Sequence, residues 1–251
     1  MLIITADDYG KVRKATDNII KCFLDKRIMS ASAMVFMEDS ERAASLAFGT
    51  DLEVGLHLNF TLPFTSSDIP PNLREHQKRI LSYLANHKLS QVIYNPFLTS
   101  SFNFVFKSQL EEFSRLYGRI PEFYNGHHHM HLCTNMLASK MLPNGTRIRR
   151  TFAFDAGEKD LLNRLYRFIL NVYISKKFIS TDYFYSIAPV QNYERIRNFI
   201  NRANNEAVEI EVHPEDDEET EYLHGDIYKN LVYSIPLGCF RDLLKKYPLR
   251  S

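Results

Sequence analysis

The sequence predicts an α/β fold built on parallel strands. Two observations carry that expectation. Short apolar runs of strand length alternate with helix-periodic stretches from one end of the chain to the other, the pattern of repeated β/α units. The residues able to do chemistry gather where those apolar runs end, as they do at the carboxyl tips of strands in such folds. The chain has 251 residues, enough to bury a sizeable core. No repeat, low-complexity tract or linker divides it, so one domain over 1–251 is expected.

In order, Leu2–Ala6 reads as a short buried strand running into Asp7-Asp8-Tyr9-Gly10. Two acids at a strand tip suit an active-site end, though an N-cap on the next helix is the plain alternative. A helix follows over about Lys14–Lys26, with Ile19, Ile20, Phe23 and Leu24 at helical spacing. Ser32–Phe36 is a second strand, and Ser40–Phe48 a second helix opened by Asp39 or Ser40. Glu53–Phe60 alternates apolar residues with Gly55, His57 and Asn59, a strand with one polar face. His57 alone would pass as structural; Asn59 on the same face points to a site.

Residues 61–108 are punctuated by Pro63, Pro70, Pro71 and Pro96 and read as a loop-rich insertion. Helices are expected near Leu73–Leu84 and Leu89–Ile93, and part of a substrate cleft is expected there too. Lys107–Leu116 is a helix ended by Gly118, and Glu122–Asn125 a strand. Asn135–Leu142 is a helix and Thr146–Arg150 a strand. Its three arginines suit either an anionic or polyhydroxyl ligand or a solvated edge. Leu161–Phe178 is an amphipathic helix, Thr181–Tyr185 a strand carrying Asp182, and Tyr193–Asn204 a helix. Val208–Val212 is a strand ending in His213-Pro214, the acidic run Glu215–Glu221 a solvated loop, and 226–247 a closing set of helices broken at Pro236 and Gly238.

The stretch Tyr124–Leu132 holds four of the nine histidines, three of them consecutive. If extended, it places His127, His129 and His131 on one face; if helical, it stacks His127 one turn from His131. Either arrangement gathers imidazoles, the commonest metal ligands. An internal cluster between apolar segments is not a tag.

Composition narrows the function classes. A formal charge of +1 offers no footprint for nucleic acid. No apolar run approaches the ~20 residues of a membrane span. The first residues lack a secretory leader's pattern, and three scattered cysteines suit a reducing compartment, so a cytoplasmic location is expected. The 14 Tyr and 18 Phe supply faces on which a sugar ring could stack.

Asp7-Asp8, His57, His127 and His213 all sit at strand ends, and strand ends converge on one face of a β/α barrel. One carboxylate and two imidazoles with open positions are the donor count of a hydrolytic metal site. The same count serves non-haem iron oxygenases, whose usual antiparallel folds disagree with this strand–helix alternation.

Four stretches together resemble a known family. Ala6-Asp7-Asp8-Tyr9-Gly10, Gly55-Leu56-His57-Leu58-Asn59, Gly126-His127-His128-His129-Met130-His131 and Glu209-Ile210-Glu211-Val212-His213-Pro214 are similar, in order and spacing, to the landmarks of the YdjC-like carbohydrate deacetylases, which include chitooligosaccharide deacetylase. The resemblance implies a distorted (β/α) barrel related to polysaccharide deacetylases. It also implies hydrolysis of an N-acetyl group on a small carbohydrate, with acetate released. One divalent metal ion, magnesium or zinc, is implied on Asp8, His57 and His127, with Asp7 as general base and His213 as general acid. Asn59, His129, His131, Arg150 and Asp182 are expected to surround the ion or touch the substrate. A homodimer is compatible with this reading. Departures fall at Thr5, Tyr9, Gly126 and Glu211-Val212, and none removes an implied ligand. The rival from another class is a metal- or sugar-binding protein on the same fold without catalysis.

Overall fold

The strands run through stretches where nearly every residue is buried, polar ones included, because a parallel sheet covered on both faces needs buried residues on both. The computed structural model describes residues 1–154, 160–233 and 235–246. Its strands are β1 (Leu2–Tyr9), β2 (Ser30–Ala33), β3 (Glu53–Leu58), β4 (Tyr124–Gly126), β5 (Tyr183–Ser186) and β6 (Val208–Val212). They pair in the order β4-β3-β2-β1-β6-β5, every pair parallel.

The helices are α1 (Arg13–Leu24), α2 (Ser40–Ala47), α3 (Pro71–Asn86), α4 (Thr99–Tyr117), α5 (Thr134–Ala138), α6 (Leu161–Lys177), α7 (Tyr193–Arg202), α8 (Asp217–His224), α9 (Asp226–Val232) and α10 (Leu243–Lys246). Most lie against one face of the sheet and bury Ile4, Ala6, Val54, Leu56, Leu58, Ile210 and Val212 with Ile19, Phe102, Phe113 and Ile200. The opposite face turns inward. There Ile3, Phe123, Ala207, Phe240 and Leu243 form a small apolar floor, with the rings of Phe123 and Phe240 stacked 4.1 Å apart.

The sheet curls into an incomplete barrel, and single bridges cross the gap between its edges. Tyr124 of β4 bridges Ile148, and Arg147 bridges Ile179 just ahead of β5. The backbone hydrogen bonds Tyr124 N–H to Arg147 O (2.9 Å) and Ile148 N–H to Ile179 O (2.9 Å) hold this seam. The expected strand at Thr146–Arg150 is therefore only this narrow stave.

Other expectations shift for local reasons. The second strand starts earlier and stops at Ala33, because the next amide, Met34 N–H, bonds across to Tyr9 O (2.8 Å) as the chain turns away. The stretch 61–108 is more helical than loop-rich: it holds α3, 3₁₀ turns at Lys88–Gln91 and Pro96–Leu98, and the first half of α4. Gly118 ends α4 in the left-handed conformation, as expected. The helix expected to run to Leu142 stops at Ala138. The acidic run is no solvated loop but the start of α8. Asp216 caps it by accepting from the Glu218 and Glu219 amides, and three acids fill its first turn, where the helix dipole favours negative charge. Of the closing helical stretch, Tyr247 lies outside the described residues.

Candidate active site

The site begins with an irregularity in β1. Its pairing with β2 slips between Ala6 and Tyr9, and Asp8 has φ +66°, a region L-residues seldom enter. In a regular strand Asp7 and Asp8 would point to opposite faces. The bulge and the left-handed residue bring both carboxylates to one cavity. Gly10, at φ +83°, completes the turn; a Cβ there would meet Ala43 Cβ, Met34 O and Ser40 Cα, each at 3.2 Å.

His57, near the carboxyl end of β3, lies between the two acids. Its Nε2 is 3.3 Å from Asp8 Oδ1 and its Nδ1 is 4.0 Å from Asp7 Oδ2. Asn125 of β4 fixes this ring. The Asn125 amide nitrogen donates to Ser32 Oγ (2.6 Å) and Asp7 Oδ1 (3.2 Å), so its oxygen faces His57 and accepts from Nδ1–H at 2.8 Å. The Nε2 lone pair is thereby left facing Asp8. His127 closes the group, with Nδ1 at 3.0 Å from Asp8 Oδ1. Donor atoms of Asp8, His57 and His127 all lie within 4.8 Å of one another. One carboxylate and two imidazoles, with the His57 tautomer already set, fit a divalent ion.

The histidine cluster is neither of the two regular forms expected for it. His128 and His129 are both left-handed, with φ 51° and 59°, so successive rings fan outward. His127 goes to Asp8. The ring of His128 lies 4.1 Å from that of His127, and its Nδ1 pairs with Thr61 Oγ1 at 3.0 Å. His129 leans on Phe152, with Nε2 4.0 Å from Glu211 Oε2. His131 folds back beneath them, fully buried, and its Nε2–H donates to Arg149 O at 3.0 Å. Gly126 permits this fold: a Cβ there would come within 2.9 Å of His131 N.

Arg149 is the buried cation of the site, with no exposed surface. Its Nη1 and Nη2 donate to Asp7 Oδ2 (2.5 Å) and Oδ1 (2.9 Å), its Nε to Glu209 Oε1 (2.8 Å), and Nη1 also to Glu211 Oε2 (3.1 Å). Its guanidinium sits over the Phe184 ring at 4.6 Å. Burial alone would raise the Asp7 carboxyl, but Arg149 and His57 outweigh it and hold Asp7 well below the usual carboxylate range. Asp8 is held low in the same way, by His127 and His57 against burial. Glu211 moves the other way: burial, with Asp7 and Glu209 beside it, pushes it well above the ordinary glutamate value.

At the rim, Asp7, Glu211 and His213 form a second converging group. The His213 amide donates to Glu219 Oε2 at 2.6 Å, and its half-exposed ring stands at the mouth. Lys11 links the two tips, donating to Asp8 Oδ2 (3.1 Å) and Glu215 Oε2 (2.7 Å).

The structure thus brings together Asp7, Asp8, His57, His127 and His213, with His129 and His131 beside them. Two residues expected near the site are placed elsewhere. Arg150 donates to the backbone carbonyls of Thr181 and Asp182, and Asp182 accepts from the Ala207 amide (2.8 Å). Both serve the amino-terminal ends of β5 and β6, opposite the site. Asn59 shapes the turn after β3: its oxygen accepts from the Thr61 and Leu62 amides, and its amide nitrogen donates to Leu62 O. Residues not assigned from sequence are Arg149, Asn125, Glu211, Glu209, Ser32 and Lys11. One signal was available: Glu209 and Glu211 share one face of a strand whose other residues, Val208, Ile210 and Val212, are apolar and which is buried throughout, and such a pair requires a buried cation.

The chain matches the profile of the YdjC-like protein family over residues 1–232. It belongs to that family. Among relatives of this YdjC-like protein, a carbohydrate deacetylase from Clostridium beijerinckii is 24% identical over 94% of this chain and 87% of its own length. A chitooligosaccharide deacetylase from Proteus mirabilis is 28% identical over 53% of this chain and 50% of its own. The chain spans about half the length of the first curated relatives it matches. A crystal structure from Enterococcus faecalis V583, of a proposed cellobiose-phosphate cleavage protein, superposes with a TM-score of 0.69. It covers 96% of this chain and 98% of that one at 19% identity, a likeness of fold. No helix among the described residues is long and apolar enough to cross a membrane.

Proposed function

We propose that this YdjC-like protein is a metal-dependent deacetylase that hydrolyses the N-acetyl group of an amino sugar or short N-acetylated oligosaccharide. One observation carries the reading: three metal-competent donors, Asp8, His57 and His127, converge beside a second carboxylate, Asp7, locked in place by a buried arginine. The names of the deacetylase relatives support it.

A divalent ion on Asp8, His57 and His127 would acidify water and polarise the acetamide carbonyl. The two imidazoles favour zinc or a similar transition-series ion over magnesium. Asp7 accepts the proton of the attacking water. Arg149 keeps that carboxylate charged and aimed, at a cost in basicity. His213, on the rim across from Asp7, gives a proton to the departing sugar nitrogen, which cannot leave as an anion at neutral pH. One group must be deprotonated and another protonated, so activity follows a bell-shaped pH profile. Asn125 and Ser32 hold the His57 ring still throughout. The Phe152 ring lies beside His129, with Phe154 next to Phe152, and these rings offer faces to a sugar.

The test is acetate release from N-acetylated sugars, before and after chelation and with zinc, manganese or magnesium restored. Asp7→Asn is expected to keep its metal and lose turnover by about 10²–10⁴-fold, the range for a general base. Asp8→Asn is expected to lose metal first and regain activity in excess metal. Chelation without effect, or near-parent turnover in Asp7→Asn, would sink the reading; metal lost from Asp7→Asn but kept by Asp8→Asn would exchange the two roles.

A further inference from the structure

Acids outnumber cations around the strand tips. Asp7, Asp8, Glu209, Glu211 and Glu219 are all buried, and Arg149 is the only buried lysine or arginine among the described residues. Lys11, partly exposed, divides itself between Asp8 and Glu215. A divalent ion on Asp8, His57 and His127, together with the Arg149 guanidinium, answers three of these five negative charges. Burying the remainder unpaired is costly. The shortfall is visible in the glutamates: burial, with neighbouring acids adding to it, pushes Glu209, Glu211 and Glu219 above the ordinary value despite Arg149 or His213 beside them.

We propose that Asp7, Glu211 and His213 hold a second divalent cation, more weakly than the first site holds its own, and that this ion switches the deacetylase off. Donor atoms of the three lie within 4.8 Å of one another, the same convergence as at Asp8, His57 and His127. The pairing of Ala6 with Val212 brings the residue after each, Asp7 and His213, to one level of the rim. Arg149 Nη1 occupies one lone pair of Asp7 Oδ2 and one of Glu211 Oε2. A carboxylate offers about four such positions, so both acids keep donors for an ion. Two carboxylates and one imidazole suit zinc, manganese or ferrous iron. The half-exposed His213 ring at the mouth gives the ion its way in. Glu211 stands at one of this chain's departures from the family landmarks, so the departure itself supplies the third donor. The switching rests on the deacetylase reading: an ion here takes the oxygens with which Asp7 accepts a proton and the nitrogen with which His213 gives one.

The experiment is calorimetric titration of zinc into the full-length chain, chelated and desalted, beside Glu211→Gln and His213→Gln. The parent is expected to bind two ions per chain, the second weaker by about tenfold or more because the Arg149 charge lies beside it. Each variant is expected to lose the second ion and to keep the first with its affinity little changed, which also shows that the variant folds. Zinc is then varied in an acetate-release assay. The parent's rate is expected to rise as the first site fills and to fall as the second does, whereas Glu211→Gln rises without the fall. One ion per chain in the parent, a second ion that survives both substitutions, or a Glu211→Gln chain that loses both ions overturns the proposal. So does a parent that binds two ions and whose acetate release never falls. A parent that releases no acetate at any zinc concentration removes the deacetylase reading and the switch with it, and the calorimetry alone then decides the second site.

Discussion

Arg149 holds Asp7 with two parallel hydrogen bonds, Nη1 to Oδ2 at 2.5 Å and Nη2 to Oδ1 at 2.9 Å, and both side chains are sealed from water. A fork of this kind needs the planar guanidinium. The same cation also answers Glu209 and Glu211, so three buried acids depend on one base.

Replacing Arg149 by methionine leaves those acids uncompensated. The expected cost is about 3–5 kcal/mol, the range for stripping one partner from a buried ion pair. Arg149→Lys should recover only part of it, because an ammonium cannot bridge both oxygens of Asp7 and still reach β6. Urea unfolding of the three proteins measures this; a Met variant as stable as the parent would show that the acids do not rely on Arg149.

Asn125 carries a subtler load. Its oxygen accepts from His57 Nδ1–H, and that bond chooses the tautomer that presents Nε2 to Asp8. Asn125→Ala removes the acceptor. Metal affinity is expected to fall about 10–100-fold, the usual effect of losing a partner behind a ligating histidine, while the fold persists. Titration calorimetry with zinc would read it, and an unchanged affinity would mean that the ring is oriented by something else.

His131 ties stability to pH. Burial, with the Arg149 charge adding to it, drives its pKa down to about 3 despite its bond to the Arg149 carbonyl. In the unfolded chain the ring takes its proton near the ordinary value of about 6.5. Between those values the unfolded state binds more protons, so stability falls as pH drops through that window and is fully present above it. The loss is on the order of 2 kcal/mol from pH 6.5 to about pH 5. His131→Gln, whose amide can still donate to Arg149 O, should flatten this slope. Thermal unfolding across the pH series is the check, and equal slopes in both proteins would count against the assignment.

How much of this the sequence discloses varies by element. β1 is legible as an apolar run, β3 and β6 as alternations of apolar and polar residues, and the polar residues at their ends mark the site. The four family stretches add the order of the ligands. The choice among Arg147, Arg149 and Arg150 was not legible, since their segment joins the sheet through single bridges and no regular alternation tells which side faces inward. For Arg150 and Asp182, lying in or beside a strand does not say which end of the strand is near. The fanning of His127, His129 and His131 was hidden too. It rests on two left-handed residues, His128 and His129, in contact with Thr61 and Phe152, and on the bond from His131 to Arg149 O, all distant in sequence.

The seam has a last consequence. The stave that carries Arg149 is the most weakly laced part of the barrel wall, joined to its neighbours by isolated bridges. Yet Arg149 reaches across the lumen to β1 and β6. The charges that serve the chemistry are also the spokes that keep the rim round. Variants that strip this cation from its acids lose stability as well as turnover. In a mutational survey of this protein, selection for folding and selection for activity would therefore leave overlapping fingerprints at Arg149, Glu209 and Glu211.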